Sequence, residues 1–296
     1  SLFDLVKTGT PEQLQAAIKA GANVNDRNIF GETPLMLAAS FNENPDVITT
    51  LLNAGARLDD RDKNGWTPLI RAAWFNENPE VIITLLNAGA KLDDGDKIGM
   101  TPLMRAAEFN KNPDVITTLL NAGAKLDDRD TIGMTPLMWA AKYNENPDVI
   151  TTLLNAGARL DDRDTIGMTP LMYAAWSNEN PDVITTLLNA GAKLDDRDVN
   201  GWTPLMYAAR RNKNPDVITT LLNAGARLDD RDKNGMTPLM YAAKYNENPD
   251  VITTLLNAGA DAKAKSIEGK TAFDYAQNNH KIKGTKVYWD LNNARF

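Results

Sequence analysis

Clusters of carboxylates interrupted by an arginine recur along this chain, as Asp59, Asp60, Arg61 and Asp62, and again at Asp127 to Asp130, Asp161 to Asp164, Asp195 to Asp198 and Asp229 to Asp232. Paired carboxylates can hold calcium or exchange protons. Here the arginine lies inside every cluster and the ligand spacing of a calcium loop is absent, so turn formation and solvation are the chemistry to expect. One copy carries Gly95 in place of the arginine, which should loosen its loop by up to about 1 kcal/mol. The single histidine, His280, has Asn278 and Asn279 beside it and no nucleophile or metal-ligand spacing nearby. With no cysteine in the chain there is no thiolate chemistry either. Neither a catalytic centre, a metal site nor a cofactor is expected.

The other chemistry these residues offer is recognition. Aromatic and basic side chains gather at three positions of one recurring segment, spaced i, i+3 and i+4, which places them on one face of a helix. Copy by copy they read Leu37, Ser40, Phe41; Arg71, Trp74, Phe75; Arg105, Glu108, Phe109; Trp139, Lys142, Tyr143; Tyr173, Trp176, Ser177; Tyr207, Arg210, Arg211; and Tyr241, Lys244, Tyr245. With Trp66 and Trp202, these positions hold every aromatic residue between 31 and 268. Trp, Tyr and Arg dominate binding hot spots because large, rigid side chains gain contact area at little entropic cost. A binding surface is the reading this suggests. The alternative is packing of the first member of each triplet, such as Tyr207, between neighbouring helices.

Charge on the stripe opposes that of the body. Arg71, Arg105, Lys142, Arg210, Arg211 and Lys244 face only Glu108, whereas the whole chain has a net charge of -7. A partner with an acidic or mixed surface is implied. Nucleic acid, a polyanion, is disfavoured by the acidic body, although cations interleaved with aromatics could hold a single strand. A second candidate feature lies in three loops, where Ile98, Ile132 and Ile166 are each followed across a glycine by Met100, Met134 or Met168. Aligned, they would form an exposed apolar strip; alternatively the methionines pack loop against loop.

These residues are positioned by a repeat. Thr-Pro-Leu recurs at Thr33, Thr67, Thr101, Thr135, Thr169, Thr203 and Thr237, always 34 residues apart, with a decayed Thr-Ala-Phe at Thr271. Each unit contains two helix starts. Thr135 caps and Pro136 takes the first helical position, predicting a helix to Tyr143; Asn146, Pro147 and Asp148 do the same for a second, running to Asn155. Gly157 supplies the left-handed stop. Val149, Ile150, Leu153 and Leu154 share a face at helical spacing and predict core. The segment from Leu160 to Gly167 is rich in turn formers and reads as a hairpin finger, its tip Asn-Gly in three other copies. Such a unit cannot bury its apolar face alone, so neighbours must stack.

The motif Gly-x-Thr-Pro-Leu, the pair Ala140-Ala141, Leu-Leu-x-x-Gly-Ala at Leu153 to Ala158 and the finger Asp130 to Gly133 resemble the ankyrin-repeat family, over nearly the whole chain. The resemblance implies an all-α solenoid of stacked helix-turn-helix units with protruding β-hairpin fingers, acting as a non-enzymatic protein- or peptide-binding module. Two departures stand out. Met, or Ile70, replaces the family's histidine after Thr-Pro-Leu, removing a polar bridge to the finger. An Asn-x-Asn-Pro link, one residue longer, explains 34 residues rather than 33.

Residues 1–30 read as an N-terminal capping repeat, 31–268 as seven full repeats and 269–296 as a C-terminal cap, with Phe273, Tyr275, Tyr288 and Trp289 available to seal the stack. The near-identity of the copies fits recent duplication or an array built from one consensus unit. Apolar residues at 43% and charged residues at 24% are ordinary for a soluble chain. No apolar run could span a bilayer and no signal-like leader precedes the first unit, so a monomer with a cytoplasmic location is the default expectation. A spacer with no ligand is the remaining alternative.

Overall fold

The computed structural model describes residues 1–296 and contains 18 helices and no strand. They alternate between two kinds. First helices begin Thr-Pro: α3 Pro34–Phe41, α5 Pro68–Phe75, α7 Pro102–Phe109, α9 Pro136–Tyr143, α11 Pro170–Ser177, α13 Pro204–Arg211 and α15 Pro238–Tyr245. Second helices begin Asn-Pro: α4 Pro45–Asn53, α6 Pro79–Asn87, α8 Pro113–Asn121, α10 Pro147–Asn155, α12 Pro181–Asn189, α14 Pro215–Asn223 and α16 Pro249–Asn257. The pair α1 Leu2–Thr8 and α2 Pro11–Lys19 precedes them, and α17 Ala272–Ala276 and α18 Lys286–Ala294 follow.

The local chemistry explains the regularity. At second-helix starts the capping asparagine accepts from the backbone two residues on, as Asn44 Oδ1 does from Asp46 N at 2.9 Å, and a carboxylate sits in the electropositive first turn. At their ends Gly157 and its counterparts take φ near 105°, a conformation open to glycine and strained for other residues. Ala158 N then bonds back to Leu153 O at 3.0 Å, closing the helix. Of the stripe expected to be core, Val149, Ile150 and Leu153 are fully buried, while Leu154 is half-buried.

The chain divides into two compact units, Ser1–Ala140 with Thr151–Ala158, and Ala141–Ile150 with Arg159–Phe296. The division runs through the middle of a repeat, as suits a chain in which each repeat meets only its sequence neighbours. In the first unit α1, α3, α5 and α7 pack side by side, backed by α2, α4, α6 and α8. In the second, α11, α13, α15 and α17 form the front row and α12, α14 and α16 the back. Phe273, Tyr275 and Tyr288 are buried in its last helices; Trp289, expected to help seal them, is exposed. Its place in α18, one residue beyond Tyr288, turns it about 100° away from the packed side.

The asparagine that lengthens the inter-helix link carries the stacking. Asn76 Nδ2 donates to Ala39 O and Asn42 O of the preceding repeat at 3.0 and 2.9 Å, while its Oδ1 accepts from Asn78 N at 2.9 Å. Asn110 repeats this in the first unit, and Asn178, Asn212 and Asn246 in the second. All are buried. Each satisfies a helix C-terminal carbonyl that its own helix cannot reach. Replacing Asn212 with Ala leaves Ala175 O and Asn178 O without that donor, so chemical denaturation should show a loss of about 2–4 kcal/mol; a loss under about 1 kcal/mol would contradict the role given to this ladder.

Candidate functional site

Each finger is the narrowest form of hairpin, a turn closed by two bonds. Asp62 N donates to Trp66 O at 3.1 Å and Gly65 N to Asp62 O at 2.9 Å. The last aspartate of each acidic cluster stands at its base. Asp62 Oδ1 accepts from Asn64 N at 2.8 Å and Trp66 N at 3.0 Å, and the same pair of bonds holds Asp96, Asp130, Asp164, Asp198 and Asp232.

The second carboxylate oxygen takes a donor from the first helix, nine residues on. Arg105 Nε and Nη2 reach Asp96 Oδ2 at 3.0 and 2.6 Å. Trp139 Nε1 reaches Asp130 Oδ2 at 2.9 Å. Tyr173, Tyr207 and Tyr241 hydroxyls donate to Asp164, Asp198 and Asp232 at 2.5, 2.6 and 2.5 Å. Arg71 stands between Asp62, 3.6 Å from its Nε, and Glu32, which it contacts directly. The polar bridge that the family places on histidine is thus present one residue later, on side chains of three different types.

This corrects the expected binding stripe. Arg71, Arg105, Trp139, Tyr173, Tyr207 and Tyr241 are buried and committed to the fingers. Trp66 is also buried, edge-on to Trp74 at 4.3 Å beneath the Arg71 and Arg105 guanidinium groups, and Trp202 is half-buried against Tyr207 and Tyr241. Aromatics therefore do serve the interior. Met100, Met134 and Met168 are fully buried, because the residue after the finger glycine turns inward. The apolar strip reduces to the isoleucines: Ile98 and Ile132 in the first unit and Ile166 in the second are each about half exposed.

Two different surfaces remain. In the first unit Phe41, Phe75 and Phe109 are exposed with half-buried Trp74 among them, ring centroids 5.0 to 5.5 Å apart. Arg71 is neutralised by Glu32 and Asp62, and Arg105 by Asp96 and Glu108 at 2.9 Å, so their charge is spent inside. In the second unit the cations lie over rings. Lys142 is 5.4 Å from the Trp176 centroid and Arg211 5.5 Å; Arg210 is 4.7 Å and Lys244 5.0 Å from that of Tyr245. No carboxylate pairs with Arg210, Arg211 or Lys244.

Trp176 and Arg211 wall two neighbouring hollows. One, of about 340 Å³, is also lined by Lys142, Tyr143, Glu179 and Lys213; the other, of about 370 Å³, by Arg210, Lys213, Tyr245 and Glu247. Glu179, Lys213 and Glu247 escaped the sequence reading. They sit between the two link asparagines, where the copies alternate Glu and Lys, and that variation was the available signal. His280 is exposed.

The ankyrin-repeat model, described as "Ankyrin repeats (3 copies)", matches residues 2–96, 103–198, 171–266 and 205–283. This chain belongs to the ankyrin-repeat family, whose members generally act in protein–protein interaction and are typically not enzymes. No curated protein matches it. No helix is long and apolar enough to cross a membrane.

Burial, and then the bond to Asp198, hold the Tyr207 hydroxyl proton in the folded chain above its ordinary pKa of 10.0, and burial with Asp232 does the same for Tyr241. Above that pH the unfolded chain binds fewer protons than the folded one, so the stabilisation, complete below about 10, declines as pH rises further. In the Tyr207→Phe, Tyr241→Phe double variant, unfolding free energy should be lower at neutral pH by about 1–3 kcal/mol per site, and its decline above about pH 10 should flatten. An unchanged alkaline slope would sink the assignment.

Proposed function

We propose that this chain is a non-enzymatic module that binds an acidic segment of a protein or peptide on the first-helix face of its second unit, across Lys142, Tyr143, Trp176, Arg210, Arg211, Lys244 and Tyr245. The observation that carries this is the set Arg210, Arg211 and Lys244, cations held over accessible rings without carboxylate partners. A cation over a ring keeps most of its charge available to a ligand, and the ring supplies apolar area beside it. The two hollows flanking Trp176 suit two successive side chains of an extended segment, with Lys213 and Glu247, paired at 2.8 Å, between them.

The Phe row of the first unit and the isoleucine tips extend the offer toward apolar residues. Catalysis finds no support in the fingers, because both oxygens of Asp96, Asp130, Asp164, Asp198 and Asp232 are occupied by protein donors and Asp62 is ion-paired with Arg71. We further read residues 31–268 as seven binding repeats and the terminal pairs, 1–30 and 269–296, as caps.

A random peptide library selected on the chain should yield sequences enriched in Asp and Glu with interspersed apolar residues. Trp176→Ala and Arg211→Ala should each weaken a selected peptide by about tenfold or more while leaving the melting temperature near that of the parent. Selection of basic peptides, or binding indifferent to both changes, would overturn the proposal. Tighter binding of single-stranded oligonucleotides, with affinity falling steeply with salt, would replace it with a nucleic-acid function.

A further inference from the structure

The arginines of the acidic clusters form a second ladder, and its broken rung identifies a site. Arg27 Nη1 donates to Gly31 O at 2.9 Å and to Arg61 O at 2.8 Å, while its Nη2 pairs with Asp60 at 2.9 Å. Arg61, Arg163 and Arg197 make the same three contacts, to Gly65 O, Gly95 O and Asp94, to Gly167 O, Arg197 O and Asp196, and to Gly201 O, Arg231 O and Asp230. Four times over, one carbonyl from each of two successive fingers and an aspartate of the second bind one guanidinium.

At position 95 the chain has glycine. The same register brings Gly99 O, four residues on, and Asp128, thirty-three residues on, to the place where a guanidinium is held elsewhere. Neither Gly99 O nor Asp128 has a hydrogen-bond or ion-pair partner. Asp128 is held above the ordinary carboxylate range, chiefly by its burial, with Lys125 pulling the other way and Asp127 and Asp93 reinforcing the rise. Gly95 has φ outside the left-handed region, but a Cβ there would stand 3.2 Å from Gly99 C and 3.3 Å from Gly99 O, so the finger approaches this position closely and must give slightly to admit a side chain.

We infer that the Gly99 carbonyl and the Asp128 carboxylate form a binding site for a guanidinium group brought by another molecule, either an arginine side chain of a peptide or a free guanidino compound. The intramolecular rungs show the geometry from which the ligand's is inferred: one nitrogen donates to the finger glycine carbonyl and to a carbonyl of the next finger, and another pairs with the carboxylate. An ammonium, a point charge without the planar fork, fits less well. This inference does not depend on the face proposed above.

The test is titration of the full-length chain with agmatine, followed through backbone amide shifts. Saturable shifts confined to the neighbourhood of Gly99 and Asp128, at least severalfold weaker with cadaverine, are expected. Gly95→Arg, which supplies the missing side chain, should abolish them and raise the melting temperature. Asp128→Asn should abolish them without that rise. A short blocked peptide with one central arginine separates the two sources: equal or tighter binding assigns the site to peptide arginines, and failure to bind assigns it to free guanidino compounds. Shifts that are absent up to tens of millimolar agmatine, or that persist in both variants, would overturn the inference.

Discussion

A buried carboxylate is tolerated only when every oxygen is given a donor, and that requirement at the base of each finger governs how this chain is built. One oxygen is always served by two backbone amides of the finger itself. The other must be served from outside, and the first helix of the same repeat is what lies within reach. The two ends of the array depart from this arrangement in different ways. Where the helix offers Leu37, the finger has Asn28 rather than aspartate, and the asparagine amide donates outward to Glu32 at 2.6 Å. Where the finger has Ser266, Tyr275 bonds to its hydroxyl at 2.8 Å. At the first end both carboxylate and donor are gone; at the last the tyrosine stays and a hydroxyl stands in for the carboxylate.

The fold was legible because its signals are local. Thr-Pro and Asn-Pro fix the helix starts, glycine fixes the ends, and the Val, Ile and Leu spacing of the second helix names the core. The site was legible only in part. Variation among the copies predicts exposure, and for Tyr143, Trp176, Arg211, Tyr245 and the finger isoleucines the structure does place variable residues at the surface. For Arg105, Trp139 and Tyr207 the inference failed. What is constant at that position is a polar hydrogen at the end of a long stem, and three residue types supply it. Comparison by residue identity cannot register a constancy of that kind.

The asparagine ladder was missed for a different reason. Asn76 and its counterparts are invariant among the copies, but so is nearly everything else in the link. Only the coordinates show that the side chain reaches 34 and 37 residues back to carbonyls of the preceding repeat. Such bonds are the sheet-like element of an all-helical stack: they join neighbours along the array through polar contacts, where apolar packing alone would leave register free to slip.

Because the stacking and the finger anchoring are carried by buried polar groups, the charge left for solvent is not the charge counted in the sequence. Arg71 and Arg105 are consumed by Glu32, Asp62, Asp96 and Glu108, and the surface they would have made basic is instead a row of phenylalanines. In the second unit Tyr207 and Tyr241 anchor their fingers with neutral hydroxyls, and Arg210, Arg211 and Lys244 of the same helices sit over exposed or half-buried rings. Where the anchor is the guanidinium of Arg71 or Arg105 the face beside it is apolar, and where it is the phenol of Tyr207 or Tyr241 the same helix carries cations at the surface. Two chemically different surfaces follow from one structural requirement met in two ways.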